Sequence, residues 1–393
     1  MRDYSLPDMT GRTVLQVIPD LAAGGAERTT IEMAEAIVLA GGTALVASRG
    51  GRLEDELQAA GGELIRMNVR SKNPVAMAGN ARRLARLIRE RGVDIIHARS
   101  RAPAWSAKSA AHRTGIAFVT TYHGAYGGTS ALKKRYNGVM AAGDRVIANS
   151  DWIAQHVRAE HGVDPSRLVT IPRGVDLEAF DPANVSGERV TAFRDHWGLS
   201  GAPDTALVLL LPGRLTGWKG HAVAIDALAR LDRIEQDTFR LVFAGDPQGR
   251  DAYVQDLQDR IVDADLTSVV RIVDHAADMP AAYLASDIVL APSTRPEAFG
   301  RVAAEASAMG RPVIASDHGG ARETIVEGLT GARFRPGDAA EMAGAMRTLR
   351  DIGPGGRQAM GEAGRAHVTE HFSKRGLQIA TLKVYRDVLD ERA

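Results

Sequence analysis

The sequence predicts an α/β protein made of two Rossmann-like, doubly wound domains with a cleft between them. Three observations carry this. The chain has 393 residues, which is long for a single hydrophobic core. Short β-branched runs alternate with helical patterns along its length, as in parallel sheets. A Gly/Pro/Ser/Asp-rich stretch, Asp181–Gly187 and then Ser200–Asp204, divides the alternation into two series.

In the first series Thr13–Ile18, Ala44–Ala47, Ile95–Ala98, Phe118–Tyr122, Arg145–Asn149 and Leu168–Ile171 read as strands. Helices such as Glu27–Leu39, Asn80–Arg91 and Asp151–His161 fill the gaps. In the second, Ala206–Leu211, Arg240–Ala244, Val269–Val273, Asp287–Ala291 and Pro312–Ala315 read as strands, with helices such as Gly220–Leu231 and Tyr253–Ala264. Ser373–Leu389 is an amphipathic helix with no strand after it. The expected organisation is a first domain over 1–190, a second over 191–372, and a helix over 373–393. That helix either packs back across the domain junction or caps the second domain.

With 45% hydrophobic and 25% charged residues, the chain has apolar material for two cores. It has no cysteine, so disulfides and thiolate metal or redox sites are excluded, which fits a reducing cytoplasm. No run of about 18 apolar residues suits a spanning helix. The N-terminal M-R-D-Y-S-L-P-D-M-T has no apolar signal core. The expectation is a soluble, cytoplasmic protein.

The net charge of +1 conceals an asymmetry. Residues 1–196 carry 26 Lys/Arg against 21 Asp/Glu, and residues 197–393 carry 23 against 27. Arg82, Arg83, Arg86, Arg89 and Arg91 crowd one predicted helix, and Lys133-Lys134-Arg135 form a second basic run. These are either solvated helix faces or contacts to an anionic membrane surface or anionic acceptor. The chain is not strongly basic and lacks interleaved aromatics, which argues against nucleic acid.

The richest motif begins at Arg295. R-P-E-A-F-G-R-V-A-A-E sets Glu297 in a loop after a strand and Glu305 inside the helix that follows Gly300. Open α/β sheets bind ligands at such strand ends, where two carboxylates can grip the hydroxyls of a polyhydroxylated ligand. L-L-L-P-G-R-L-T-G-W-K-G-H sets Arg214 and Lys219 around a glycine turn after another strand. Arginine can bind two phosphate oxygens and lysine adds a mobile point charge, which suits a diphosphate. Gly220 follows the lysine where a Walker loop needs Ser or Thr.

Gly24-Gly25 at a helix N-terminus permits close backbone approach to an anion, although a plain tight turn fits equally. The G-x-G-x-x-G dinucleotide pattern is not met, which counts against a nicotinamide enzyme. His123 closes the strand V-T-T-Y-H. A lone histidine is usually structural, but its strand-end position facing the cleft favours function. His97, also at a strand end, is the weaker candidate. Asp263-Ala264-Asp265 has D-x-D spacing but falls late in an acidic helix, so solvated charge explains it better. No other His/Asp/Glu cluster has metal-ligand spacing, and no G-x-S-x-G elbow is present.

Together these residues resemble the retaining glycosyltransferases of family 4, which have the GT-B architecture. The matching pieces are Gly24-Gly25-Ala26-Glu27, V-I-A-N-S at 146–150, I-P-R-G-V-D at 171–176 and G-R-L-T-G-W-K-G at 213–220. P-E-A-F-G-R-V-A-A-E at 296–305 and H-G-G-A-R-E-T-I at 318–325 complete them. The resemblance implies a nucleotide sugar, a UDP-, GDP- or ADP-linked hexose, held mainly by the second domain. Arg214 and Lys219 would hold the diphosphate and stabilise the leaving group. Glu305 would bind the ribose. Glu297 and the amides of Ala298, Phe299 and Gly300 would hold the sugar.

By the same resemblance His123 would contact the sugar near the reaction centre, Gly25 would lie against the diphosphate, and Gly24 and Gly25 would border the acceptor side. Asn149, Arg173 and Glu323 would support the cleft, and base contacts would fall near Val273–Met279. No cofactor and no metal is expected. The acceptor would be a cell-surface glycan or lipid-linked glycan, as in lipopolysaccharide core, O-antigen or exopolysaccharide assembly, at the inner membrane face. A sugar-nucleotide epimerase of the same fold, or an idle nucleotide-sugar-binding protein, are the alternatives. Arg173 stands where relatives often carry Asn.

Overall fold

The computed structural model describes residues 5–22, 24–128, 130–199, 201, 203 and 205–392. Ser200, Ala202 and Asp204 of the expected linker lie outside the described residues. The chain separates into two compact units, Met1–Gly174 with Lys374–Ala393, and Val175–Ser373.

The first unit centres on a seven-stranded parallel sheet. Its strands are β1 (Thr13–Val17), β2 (Thr43–Ser48), β3 (Glu63–Arg66), β4 (Ile95–Ala98), β5 (Ala117–Tyr122), β6 (Arg145–Ala148) and β7 (Leu168–Thr170), in the order β3-β2-β1-β4-β5-β6-β7. Leu15 of β1 stands opposite Leu45 on one side and Ile96 on the other. Helices cover both faces, so the central strands read as continuous apolar runs.

The second unit holds a six-stranded parallel sheet of β8 (Leu207–Pro212), β9 (Phe239–Ala244), β10 (Val270–Val273), β11 (Ile288–Ala291), β12 (Val313–Ser316) and β13 (Gly331–Phe334), ordered β10-β9-β8-β11-β12-β13. Strand order reverses between β1 and β4 in one sheet and between β8 and β11 in the other. Such switch points open a crevice at the strands' carboxyl ends.

Two edge strands, β3 and β13, escape the sequence pattern. Glu63-Leu64-Ile65-Arg66 has only two apolar residues, neither fully buried, and Gly331-Ala332-Arg333-Phe334 has no β-branched residue, so neither reads as an apolar run. β13 also begins at a glycine, where a Cβ would meet the Val313 carbonyl oxygen at 2.3 Å.

The passage between units falls at Gly174–Val175, earlier than the residue-190 boundary expected from composition. Phe180, Val185, Val190 and Phe193 rest against a second-unit cluster containing Trp197 and Tyr283, so the whole segment joins that core. The C-terminal helix, Lys374–Asp390, belongs to the first unit. Leu377, Leu382, Tyr385 and Val388 recur at helical spacing and enter the core formed by Val14, Val46 and Ile95.

The arginine-rich helix runs Pro74–Glu90 and buries Ala81, Leu84, Ala85 and Ile88. Arg82, Arg83, Arg86 and Arg89 are exposed, while Arg91 pairs with Glu63 through two hydrogen bonds of 2.7 and 2.5 Å. Among the described residues no helix is long and apolar enough to cross a membrane.

Candidate active site

In the second unit the loops that leave β8 and β11 meet at the switch point. β8 runs into Gly213 and Arg214, and a short turn, Gly217–Lys219, follows. Gly220 has φ 82°, and a Cβ there would lie 2.0 Å from the Pro292 carbonyl oxygen. Only a glycine lets this turn settle on the loop after β11. The Thr294 amide donates to the Trp218 carbonyl at 2.8 Å and stitches the two loops together.

That contact brings Lys219 to Glu297, with Nζ 2.8 Å from Oε1. The ammonium also sits 4.7 Å from the Trp218 ring centre, within cation–π range. The Ser293 hydroxyl donates to the same Oε1, and His318 Nε2 lies 2.7 Å from the Ser293 carbonyl oxygen. Burial pushes the Glu297 carboxyl upward, but the Lys219 charge and the bonds from Lys219 and Ser293 outweigh it and hold the group below the usual value. Glu297 is a fixed anion.

The loop Pro296–Gly300 is held from below by a glycine pair. A Cβ at Gly320 would meet Phe299 Cα at 2.4 Å, and one at Gly319 would meet the Glu297 carbonyl oxygen at 2.4 Å. The Gly320 amide donates to that carbonyl at 2.9 Å. The Phe299 side chain is buried edge-on against Phe372, ring centres 5.4 Å apart. None of the amides of Ala298, Phe299 and Gly300 finds a partner among the described residues. They precede the helix Arg301–Ala308, whose N-terminus adds its own positive pole.

Glu305 sits in the second turn of that helix, 8% exposed. Tyr283 donates its hydroxyl to Oε2 at 3.0 Å, and Arg301 donates to Oε1 from Nε and Nη2 at 3.1 and 2.7 Å. Burial, and then the Glu305 charge, pushes the Tyr283 phenol well up, so it stays a donor. Oε1 already accepts twice from Arg301, while Oε2 keeps acceptor capacity for a ligand. Arg214 is exposed, with no hydrogen bond or ion pair among the described residues. Of the two expected phosphate cations, Lys219 is engaged and Arg214 is free.

In the first unit, His123 follows β5. Its Nδ1 lies 3.2 Å from Arg173 Nη2, and its buried Nε2 has no partner among the described residues. Burial, then the Arg173 and Arg99 charges, holds the imidazole well below the usual histidine value, so it is neutral. Gly24 is the extended N-cap of the helix Gly25–Leu39. The Arg173 guanidinium lies against Gly25, where a Cβ would fall 1.3 Å from Nη1. When the Asn149 amide donates to the Tyr122 carbonyl at 3.3 Å, its oxygen accepts from Arg173 Nε at 3.2 Å.

His97 is structural. Its Nδ1 meets the Tyr385 hydroxyl at 2.6 Å and its Nε2 the Thr121 hydroxyl at 2.7 Å. Glu323 offers its carbonyl oxygen to His367 Nε2 at 3.1 Å. Asp263 ends its helix and Asp265 lies beyond it at φ 54°, paired with Arg233 at 3.2 Å. The D-x-D spacing therefore builds no site. Among the described residues no group of three or more His, Asp or Glu side chains converges as metal ligands would.

A cavity of about 1420 Å³ opens at the carboxyl edge of the first sheet. Arg49, Arg70, Lys72, Arg101 and Lys133 line it, opposed by Asp20 and Glu27. Arg49 is spent on Asp20 at 2.8 Å. Arg101 is held by Asn137 Oδ1 at 2.9 Å and lies 4.3 Å from the Tyr126 ring centre.

Sequence reasoning missed the groups that hold the site residues. Ser293 and Arg301 each precede their carboxylate by four positions, a spacing that could have exposed them. Trp218 and His318 lie inside quoted motifs without their contacts being foreseen, and Tyr283 comes from a separate helix and carries no local signal.

Comparison with known proteins agrees with this geometry. Residues 23–179 match the family model "Glycosyltransferase Family 4", and residues 198–367 match "Glycosyl transferases group 1". A D-inositol 3-phosphate glycosyltransferase of Kineococcus radiotolerans is 35% identical over 269 residues, 65% of this chain and 60% of the relative. The chain thus matches only about 60% of that relative's length. The crystal structure of a glycosyltransferase from Rickettsia africae superposes with a TM-score of 0.88 at 35% identity, covering 96% of this chain and 98% of that one. Anabaena Alr3699/HepE, crystallised with UDP-glucose, shares the fold with a TM-score of 0.81 at 23% identity, covering 95% and 99%. Two parallel-sheet Rossmann-like units of GT-B type, matched by both family models and by a 35%-identical glycosyltransferase over nearly its whole length, place this chain among the glycosyltransferases of family 4.

Proposed function

We propose that this transferase moves a hexose from a nucleoside-diphosphate sugar to a hydroxyl of a cell-surface glycan or glycolipid acceptor, with retention of anomeric configuration and without a metal. The observation that carries it is the Lys219–Glu297 pair set beside the unpartnered amides of residues 298–300. Cleaving the bond between the anomeric carbon and the diphosphate sends its electron pair to the leaving phosphate oxygen. Lys219, preorganised by Glu297, and the free Arg214 stabilise that charge. The acceptor hydroxyl attacks from the face the diphosphate leaves and passes its proton to the departing phosphate oxygen. Glu297 and the amides orient the sugar, and Glu305 accepts from the ribose hydroxyls.

The UDP-glucose bound to the Anabaena protein supports a UDP-hexose as the first donor to try. The relatives named for D-inositol 3-phosphate, together with the cationic cavity of the first unit, support an anionic acceptor. Assembly of lipopolysaccharide core, O-antigen or exopolysaccharide at the inner face of the cytoplasmic membrane offers acceptors of that chemistry. The test incubates the purified chain with UDP-, GDP- and ADP-hexoses, with and without glycan phosphate acceptors, in the presence of EDTA. Acceptor-dependent product of unchanged anomeric configuration is expected. Conversion of donor to an epimer without acceptor would instead mark an isomerase.

A further inference from the structure

We propose that Arg173 is a positioning residue that holds His123 as the neutral tautomer carrying its proton on Nε2, ready to donate to a substrate oxygen. This rests on reading His123 as a substrate-contacting group of the transfer described above. A guanidinium has donors only. With Arg173 Nη2 3.2 Å from Nδ1, Nδ1 must accept, and the single proton of the neutral ring sits on Nε2. That atom is buried and has no partner among the described residues. Buried donors in native proteins almost always have an acceptor, and here a ligand oxygen would supply it.

Arg173 is itself fixed on two further sides. Nη1 occupies the space a Cβ at residue 25 would fill, and Nε meets the Asn149 side-chain oxygen at 3.2 Å when that amide is turned to donate to the Tyr122 carbonyl. Gly25 therefore serves as the seat of the guanidinium. An asparagine at 173 could turn either its oxygen or its nitrogen toward Nδ1 and so would permit both tautomers. Arginine permits one. The other titratable groups around the ring are Arg99, His97 and Tyr126, the last hydrogen-bonded to the His123 main chain. Two cations, Arg173 and Arg99, oppose a second proton on the imidazole.

The test is proton–nitrogen correlation of the full chain labelled in histidine with ¹⁵N, with His123 assigned by comparison with His123→Gln. The wild type should show the Nε2–H pattern without titration from about pH 5.5 to 8, against an ordinary histidine value of about 6.5. Arg173→Met should bring in the Nδ1–H form and cut turnover roughly tenfold or more, the scale of a lost hydrogen bond to a polar partner. Arg173→Lys, which keeps a donor-only group, should restore the tautomer and the turnover. An Nδ1–H ring in the wild type, or an unchanged tautomer in Arg173→Met, overturns the proposal. An altered tautomer with unaltered transfer overturns its functional half, and leaves the donor site of the second unit standing.

Discussion

Lys219 and Glu297 stand 78 positions apart in the chain and close to 2.8 Å in the fold. Loops from two neighbouring strands of one switch point, β8 and β11, deliver them. The pair joins the expected phosphate cation to the expected sugar-binding carboxylate before any ligand arrives.

The pair gives the chain a pH signature. The folded Glu297 value lies below the ordinary one, so its stabilisation is fully present above about pH 4.3 and fades as pH falls through the lower folded value. In Lys219→Met burial is left largely unopposed, the Glu297 value rises, and the ionised form becomes destabilising near neutrality. The difference in Tm between wild type and Lys219→Met should be widest at pH 7 and shrink toward pH 4. A gap independent of pH would contradict the pairing.

With Glu305 on the ribose as proposed, its loss should act on binding more than on turnover. Glu305→Gln removes the charge that accepts from Tyr283 and Arg301 and should weaken the proposed hold on ribose. Hydrogen bonds to a charged group contribute about 1.5–3 kcal/mol, so KM for the donor should rise roughly 10- to 100-fold with kcat nearly unchanged. A fall in kcat at constant KM would assign Glu305 to the chemistry instead.

The glycine pair beneath the loop is testable by adding one methyl group. In Gly320→Ala the new Cβ would sit 2.4 Å from Phe299 Cα and from its carbonyl oxygen, both backbone atoms that cannot step aside. Overpacking of this kind costs about 1–3 kcal/mol. Thermal unfolding should shift down by a few degrees, and donor binding should weaken although Lys219, Glu297 and Glu305 are intact. Wild-type donor affinity would show that the loop does not need this support.

How much of this was legible in the sequence follows physical range. β1, β2 and the strands of the sheet interiors announce themselves because burial on both faces demands unbroken apolar runs. β3 and β13 do not, because one is flanked by Glu63 and Arg66 and the other carries Gly331 and no β-branched residue. The positions of Glu297 and Lys219 were legible because each follows a readable strand, and the ends of β8 and β11 adjoin at the switch point. His318 and Tyr283 were not, since their contacts to Ser293 and Glu305 span 25 and 22 positions and exist only after separate elements meet. The C-terminal helix showed its apolar stripe but not its destination, because Tyr385 finds His97 across 288 positions.

That destination has its own consequence. Leu382 is fully buried in the first unit's core, so Leu382→Ala should cost about 2–5 kcal/mol. Hydrogen exchange should accelerate in β4 and β5 and stay unchanged in β8 and β11. Uniform acceleration across both sheets would contradict the assignment of the helix to the first unit.

The exposed arginines of the helix Pro74–Glu90 offer a test of the proposed contact with an anionic membrane. Each basic residue near an anionic surface contributes about 1 kcal/mol. Replacing Arg82, Arg83 and Arg86 by Gln should cut co-sedimentation with phosphatidylglycerol vesicles roughly 100-fold, and leave turnover of soluble donor intact. Equal sedimentation would leave these arginines as a solvated face.

The most direct test of the donor site is the initial rate of nucleoside-diphosphate release by Lys219→Ala, measured beside wild type with whichever UDP-, GDP- or ADP-hexose the wild type turns over. Removing one preorganised charge-stabilising group should lower the rate about 100-fold or more. A rate close to wild type would contradict the site built around Lys219 and Glu297.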